Sequence, residues 1–380
     1  MTTLADRLWG VACALHADPE TAFEEVRAAD RLCAELRRDG FTVDRGVAGM
    51  PTAFVGRAGT GDHPRVALLL EYDALPGLGH ACGHNLIAAA GLGAAIAARE
   101  ALGSRPGTVL AVGTPAEEGG GGKIIELDAG VFDGVDAALM FHPGVQNWSW
   151  AVLTAQVELR ITFRGRAAHP TGNPTEGIDA LAALIQLFTT LAALRQRLPS
   201  GSHVQGIITQ GGTATNIVPD LAEGRFGLRA LTTAALDALV DDVSTAAQGI
   251  STATSTTVDV TTTRTPYAHF RPNGPLSACF DEHIARHGIT MSPPEPGVFL
   301  GSSDIGNIST RVPSIHPFVA ILDGDQSDHT PEFATAAGSA RGREVMLAAA
   351  DALSRTAIDL LTRPDLVSAA WDDFRQRAAE

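Results

Sequence analysis

The chain has 380 residues, too many for one small domain and enough for two domains or one large domain with an insertion. Hydrophobic residues make up 45% and charged residues 19%, so the chain can bury a sizeable core and is not disordered. Twenty-eight basic against 43 acidic residues leave a net charge of -15, which excludes the cationic footprint that DNA or RNA binding requires. Glycine is abundant, 40 of 380 residues, against a typical share of about 7%, and implies many tight turns and close backbone approaches. Lys123 is the only lysine; this reads as coding bias, and it makes lysine Schiff-base or general-base chemistry improbable everywhere else. Cys13, Cys33, Cys82 and Cys279 lack framework spacing, so no structural disulfide is expected. The N-terminus has no basic segment followed by an apolar one, and no apolar run reaches the ~18 residues of a membrane span. The longest, Leu86 to Ala98, reads as a buried helix. A soluble, cytoplasmic protein is the expectation, with no membrane or nucleic-acid partner.

The first 40 residues read as helices, with Ala12, Leu15, Phe23, Val26, Leu32 and Leu36 at roughly helical spacing and Gly40 as a stop. A theme then repeats: an apolar run, a turn, and charged or imidazole side chains. Val66 to Leu70 leads into Glu71-Tyr72-Asp73, Thr108 to Gly113 into Glu117-Glu118, and Ala137 to Phe141 into His142. With helical stretches at 85–102 and 122–127 between them, these runs predict a largely parallel sheet whose C-terminal strand ends carry the chemistry. The middle changes character. A strand at 156–163, a helix at 176–198, strands at 204–209 and 224–229, a helix at 233–249 and a strand at 257–263 give the β-α-β-β-α-β order of a ferredoxin-like domain. The predicted organisation is a discontinuous catalytic domain, residues 1–151 and 265–380, interrupted by an inserted α+β domain at 152–264. A strand at 314–321 and a closing helix at 341–361 complete the outer domain.

Gly79-His80-Ala81-Cys82-Gly83-His84-Asn85 is the densest chemical cluster. A thiol and an imidazole two residues apart at a helix start can face one point, and the helix N-terminus favours the thiolate; a bare C-x-H is still more often a buried cysteine beside capping groups. Adjacent carboxylates such as Glu117 and Glu118 point in different directions, so one can hold a metal while the other faces substrate as a general base. Alone, they read as a solvated acidic loop. The following Gly119–Lys123 lacks the spacing and the Ser or Thr of a phosphate-binding loop. His142 and His329 are each ambiguous alone. Together Cys82, His84, Glu118, His142 and His329 supply thiolate, imidazole and carboxylate from four segments, a mix suited to Zn(II), with Mn(II), Co(II) or Ni(II) alternatives. The conjunction is far more specific than its parts. A serine nucleophile at Ser302 or Ser303 lacks the second glycine of a nucleophile elbow. A cysteine hydrolase built on Cys82 leaves Glu117-Glu118 without work.

The segments His16-Ala17-Asp18-Pro19-Glu20, Glu71-Tyr72-Asp73-Ala74-Leu75-Pro76, His80-Ala81-Cys82-Gly83-His84-Asn85, Pro115-Ala116-Glu117-Glu118, Ala168-His169-Pro170, Gly177-Ile178-Asp179-Ala180 and Asn216-Ile217-Val218-Pro219 resemble, end to end, the dinuclear metallopeptidases that include aminoacylases, carnosine dipeptidases and glutamate carboxypeptidases. Within them the match is to the amidohydrolase subgroup, and to its branch of p-aminobenzoyl-glutamate hydrolases and β-alanyl-lysine or Xaa-Arg dipeptidases. The resemblance implies an α/β, zinc-peptidase-like catalytic domain with a mostly parallel sheet flanked by helices, plus an inserted ferredoxin-like lid and dimerisation domain. It implies Cys82 as the bridging ligand, His84, Glu118, His142 and His329 as the others, Glu117 as general base and acid, and Asp73 as the carboxylate that orients a ligand. His169 matches a residue that reaches the active site of the partner subunit in a homodimer. Asn216 and Arg229 match lid positions that hold a substrate carboxylate or carbonyl, and Ser302 and Ser303 lie on the loop that approaches substrate. Glu71 stands where the wider family has a ligand histidine, a job His84 takes over, and Asn85 stands where many amidohydrolases have Asp. Each role has a plainer counterpart: Asp73 as a helix cap, His169 as a surface residue, Arg229 paired to a lid acid. His16, Glu20, His80 and His316 read as structural.

The expected activity is hydrolysis of the amide of an N-acyl amino acid or dipeptide-like substrate bearing a free carboxylate, with one or two divalent ions. Glu117 takes a proton from the attacking water, and His169 and Asn216 stabilise the oxyanion. The alternatives are a biosynthetic deacylase or amide-forming enzyme on the same scaffold and an inactive binding relative.

Overall fold

The computed structural model describes residues 3–377. They form two compact units: the chain up to Val152 with Phe270–Phe299 and everything from Asp304 onward, and Leu153–His269 with Leu300–Ser303. In chain order the first unit contributes α1 (Leu4–Ala17), α2 (Val26–Arg38), β1 (Thr42–Arg45), β2 (Phe54–Gly59), β3 (Arg65–Glu71), α3 (His84–Leu102), β4 (Thr108–Thr114), α4 (Gly122–Asp128), β5 (Ala137–Leu139) and β6 (His142–Gly144). The second unit continues with β7 (Ala155–Arg164), α5 (Ala180–Leu194), β8 (His203–Gln210), β9 (Leu221–Ala230), α6 (Thr233–Thr254) and β10 (Thr257–Thr262). The first resumes with α7 (Gly274–Ile284), α8 (Ile305–Ser309), β11 (Ser314–Ile315), β12 (Phe318–Ala320), α9 (Pro331–Ala337), α10 (Ala340–Thr362) and α11 (Pro364–Arg377).

The first unit is built on a six-stranded sheet in the order β1-β2-β4-β3-β5-β11. Its β4-β3-β5-β11 part is parallel, and the β1 and β2 edge is antiparallel. The central strands bury every residue from Val66 to Glu71 and from Val109 to Thr114, which is why they read as unbroken apolar runs rather than alternating ones. Helix α3 packs on β3 and β4, and α10 packs on α3. Gly91 lets α3 approach closely, since a Cβ there would lie 2.6 Å from the Leu69 carbonyl oxygen. Among the described residues α3 is the one helix long and apolar enough to cross a bilayer, but 78% of its apolar window is buried inside the fold, as a core helix must be.

The second unit has the order β10-β7-β9-β8, antiparallel throughout, with α5 and α6 between strands: the ferredoxin-like topology. It owns a core of Leu159, Ile161, Phe163, Leu184, Leu187, Phe226, Leu228, Leu239 and Val243 among others.

Of the elements that differ from the sequence reading, three have a visible local cause. The helix expected at 176–198 is shorter, because the Asp179 side chain caps it by accepting from the Ala182 N–H at 2.9 Å, while Ile178 is still paired to Arg166 as extended chain. The strand expected at 314–321 is two strands: β11 pairs with β5, β12 pairs with β6, and His316-Pro317 breaks the ladder at the level where Met140 and Phe141 leave it. Helix α11, opened by Pro364, extends the chain beyond the helix expected to close it. The four cysteines are free thiols.

Candidate metal centre

Strands β4, β3 and β5 are parallel neighbours, so the segments leaving their C-terminal ends emerge at one edge of the sheet. That edge receives Asp73, Glu117-Glu118 and His142. Three local conformations complete the arrangement. Gly83 adopts φ 76°, and a Cβ there would lie 2.5 Å from Pro143 Cγ, so glycine alone lets Cys82 and His84 flank the turn into α3. Ala116 holds φ 60° with its N–H donating to Glu25 Oε1 at 2.9 Å, which sets the turn that presents Glu117 and Glu118. His329 holds φ 56° and donates its N–H to the Ala81 carbonyl at 2.9 Å, tying the most distant ligand candidate to the turn that carries Cys82.

The five ligand candidates converge. Cys82 Sγ lies 3.5 Å from His142 Nε2, His84 Nε2 4.0 Å and His329 Nε2 3.6 Å from Glu118 Oε1. Donor atoms of Cys82, His84 and His142 lie within 4.8 Å of one another; so do those of His84, Glu117 and Glu118, and of Cys82, Asp328 and His329. Asp328 is an addition that sequence reasoning missed, although it neighbours His329.

Hydrogen bonds fix the imidazoles in ligand-ready form. His84 Nδ1 faces the Asp73 carbonyl at 2.9 Å and Asp73 Oδ1 at 3.1 Å; neither can donate, so Nδ1 carries a proton and Nε2 is the ring atom left to face a cation once its own proton is displaced. Asp73 Oδ2 also accepts the Glu118 N–H at 2.9 Å, so one carboxylate holds two of the ligand candidates. His142 Nδ1 donates to the Pro143 carbonyl at 2.6 Å, again leaving Nε2 toward Cys82. Burial, then the charge of His84, lowers the His142 pKa to about 4, so its ring is neutral.

The donor set fits a divalent cation. His84 Nε2 and Glu118 Oε1 are buried with no hydrogen-bond partner, an arrangement that an ion would satisfy. Burial pushes the Cys82 thiol well up, and for His84 the charges of Cys82 and Asp73 outweigh the opposing burial and raise it. Burial, together with the charges of Glu71, Asp304 and Glu118, pushes Glu117 well above the usual carboxylate range. Burial likewise raises Glu118 against the pull of His84 and His329. A site this rich in acids holds protons until a cation displaces them.

Beside the ligands stands a group that the sequence did not signal. Lys123, fully buried on α4, reaches Asp304 Oδ1 with Nζ at 2.7 Å, pairs with Glu71, and donates its backbone N–H to Asp304 Oδ2 at 3.1 Å. Glu71 Oε2 in turn lies 3.5 Å from His84 Nε2. Lys123 is the counter-charge of two buried carboxylates. His80 and His316 are buried, and His16 Nε2 bonds to the Ala334 carbonyl.

The remaining candidates belong to the second unit. His169 is exposed, and its Nδ1 accepts the Gly172 N–H at 3.0 Å and the Thr171 N–H at 3.3 Å, which leaves a proton on Nε2. Asn216 stands exposed in the loop between β8 and β9. Arg229 donates from Nη1 to Ser302 Oγ at 2.8 Å, and Ser302 also meets Thr154 Oγ1 at 2.9 Å. Arg229 is partly buried with, among the described residues, no carboxylate in an ion pair, and burial lowers its pKa. Ser303 is buried.

Known proteins resemble this chain in sequence and in fold. The sequence profile of Peptidase family M20/M25/M40 matches residues 67–355. The Xaa-Arg dipeptidase of Mus musculus is 36% identical, over 99% of this chain and 90% of the relative. One of the subunits of the p-aminobenzoyl-glutamate hydrolase of Escherichia coli is 37% identical, over 68% of this chain and 56% of its own. Among solved structures, a dinuclear metal-binding peptidase of the M20 family from Bacillus subtilis aligns over 94% of this chain and 99% of its own with a TM-score of 0.74 at 22% identity, a likeness of fold. The chain therefore belongs to peptidase family M20/M25/M40 and is a hydrolase of the metallopeptidase and amidohydrolase type.

Proposed function

We propose that the protein hydrolyses the amide bond of a dipeptide or N-acyl amino acid that carries a free carboxylate, and that Cys82, His84, Glu118, His142 and His329 would hold one or two divalent ions of the zinc class. The observation that carries the reading is the convergence of Cys82, His84, Glu118, His142 and His329, with Cys82 common to two of the donor groups. The Xaa-Arg dipeptidase matched along nearly the whole chain supports the dipeptide side of the substrate class.

When bound, such ions supply a Lewis acid that polarises the amide carbonyl and acidifies water. The chain's own groups do the rest. Glu117, whose donor oxygen lies within 4.8 Å of those of His84 and Glu118, takes the proton of the attacking water and delivers it to the leaving nitrogen. Asp73 holds His84 and Glu118 in register. In a homodimer, His169 would offer its Nε2–H to the developing oxyanion in the other subunit, with Asn216 as a second donor. Arg229, steadied by Ser302 and lacking an acid partner among the described residues, receives the substrate carboxylate.

The test is kinetic, on a panel of dipeptides, β-alanyl dipeptides, N-acyl amino acids and p-aminobenzoyl-glutamate with Zn(II), Mn(II) or Co(II). Glu117→Gln is expected to lose about 10²–10⁴-fold in kcat while retaining its metal, and Arg229→Met to raise KM for carboxylate-bearing amides only. Wild-type turnover by metal-loaded Glu117→Gln sinks the mechanism.

A further inference from the structure

Away from this centre, α7 carries Cys279 and His283 four residues apart, so that both project from one side of the helix. Helix α10 packs against that helix and presents Asp359 to the pair. Cys279 Sγ lies 3.3 Å, and His283 Nε2 2.8 Å, from Asp359 Oδ2. The three donor atoms stand within 4.8 Å of one another. Cys279 is 9% and His283 7% exposed, whereas the Asp359 side chain keeps 26% of its surface open, which leaves a route from solvent.

We propose that Cys279, His283 and Asp359 form a second, separate metal site that binds one zinc-class divalent cation, with water completing the coordination. Thiolate, imidazole and carboxylate are the zinc donor types, and bond lengths of about 2.0–2.3 Å place tetrahedral ligand atoms about 3.3–3.6 Å apart. The two separations from Asp359 reach this when its carboxylate withdraws by a few tenths of an ångström, while Cys279 Sγ and His283 Nε2 stand within 4.8 Å of each other. The charges balance: one thiolate and one carboxylate neutralise a divalent ion, which suits a site with two ligands nearly buried. The protons balance too. Cys279 releases one to solvent as its sulfur binds, and a ring proton of His283 moves from Nε2 to Nδ1, which is buried without a partner, so the bonds to the ion must offset an unmet N–H. The competitor for Asp359 is Arg363, whose half-exposed guanidinium sits at 4.0 Å and is free to turn outward. A cation here ties α7 to α10, the helix that packs on α3 and so backs the strand edge of the catalytic centre.

The test counts ions and tracks one thiol in the full-length protein, and neither readout depends on turnover. Native mass spectrometry of protein equilibrated with Zn(II) is expected to show one ion fewer per chain in Cys279→Ser and in His283→Gln than in the wild type, and the same deficit in both. In the wild type, Zn(II) is expected to slow iodoacetamide alkylation of Cys279, located by peptide mapping, at least tenfold, so the test stands even if a variant fails to fold. Equal ion counts in folded variants, or a Cys279 alkylated at the same rate with and without Zn(II), overturns the proposal and leaves the catalytic reading untouched.

Discussion

Lys123 shows how much one side chain decides. It lies fully buried between Glu71 and Asp304. Burial raises Asp304 to about 6 even though the ammonium beside it pulls the other way. Removing the ammonium strands two carboxylates in a dry interior, and breaking a buried pair in this way costs about 3–5 kcal/mol. Lys123→Met is therefore expected to lower the unfolding free energy by about that much in urea denaturation. Adding Glu71→Gln and Asp304→Asn to the same chain is expected to recover most of the loss, because neutral amides need no counter-charge. An unchanged midpoint in Lys123→Met disproves the pairing. None of this was legible in the sequence, since Lys123 and Asp304 are 181 positions apart and share no motif. Neighbouring residues fared otherwise. Cys82-x-His84 at a helix start and Glu117-Glu118 after a strand were each ambiguous alone, and only their conjunction with His142 and His329 pointed to a metal centre.

At the scale of elements, the rule that chemistry collects beyond the C-terminal ends of parallel strands located Asp73, Glu117, Glu118 and His142 from apolar runs alone. It worked because β4, β3 and β5 are buried on both sides and therefore unmistakable. It says nothing of loops, and His329 reaches the site by a backbone bond to Ala81 that no periodicity encodes. Boundaries set by side-chain caps or by proline, such as Asp179 before α5 and Pro317 between β11 and β12, were equally hidden. The turn into α3 is the element on which the centre pivots. Gly83 needs both its positive φ and the space beside Pro143. Gly83→Ala is expected to destabilise by about 1–3 kcal/mol through backbone strain and, since Pro143 adjoins His142, to weaken zinc retention in equilibrium dialysis. Wild-type retention with a wild-type melting temperature refutes this account of the turn.

At the scale of the whole molecule, every candidate ligand of the catalytic centre belongs to one compact unit, while the ferredoxin-like unit carries a core of its own. An ion that binds only the folded state stabilises the structure it is bonded to, by about 2.7 kcal/mol at a hundredfold excess over Kd. In a chain of two cores that gain is confined to the unit holding the ligands. Calorimetry of the chelator-treated protein is accordingly expected to show two transitions, of which added Zn(II) raises one and leaves the other in place. Hydrogen exchange then assigns the unmoved transition to residues 153–269. The increment carries a definite pH dependence. The pKa values of Cys82 and His84 both lie above their ordinary values in the cation-free fold, so both hold protons that compete with the ion, and lowering the pH strengthens the competitor. The zinc-dependent rise in Tm is thus expected to be largest on the alkaline side and to shrink as the pH falls into the ordinary imidazole range. A rise that grows toward acid, or one that moves both transitions together, contradicts the assignment of thiol and imidazole as ligands confined to a single unit.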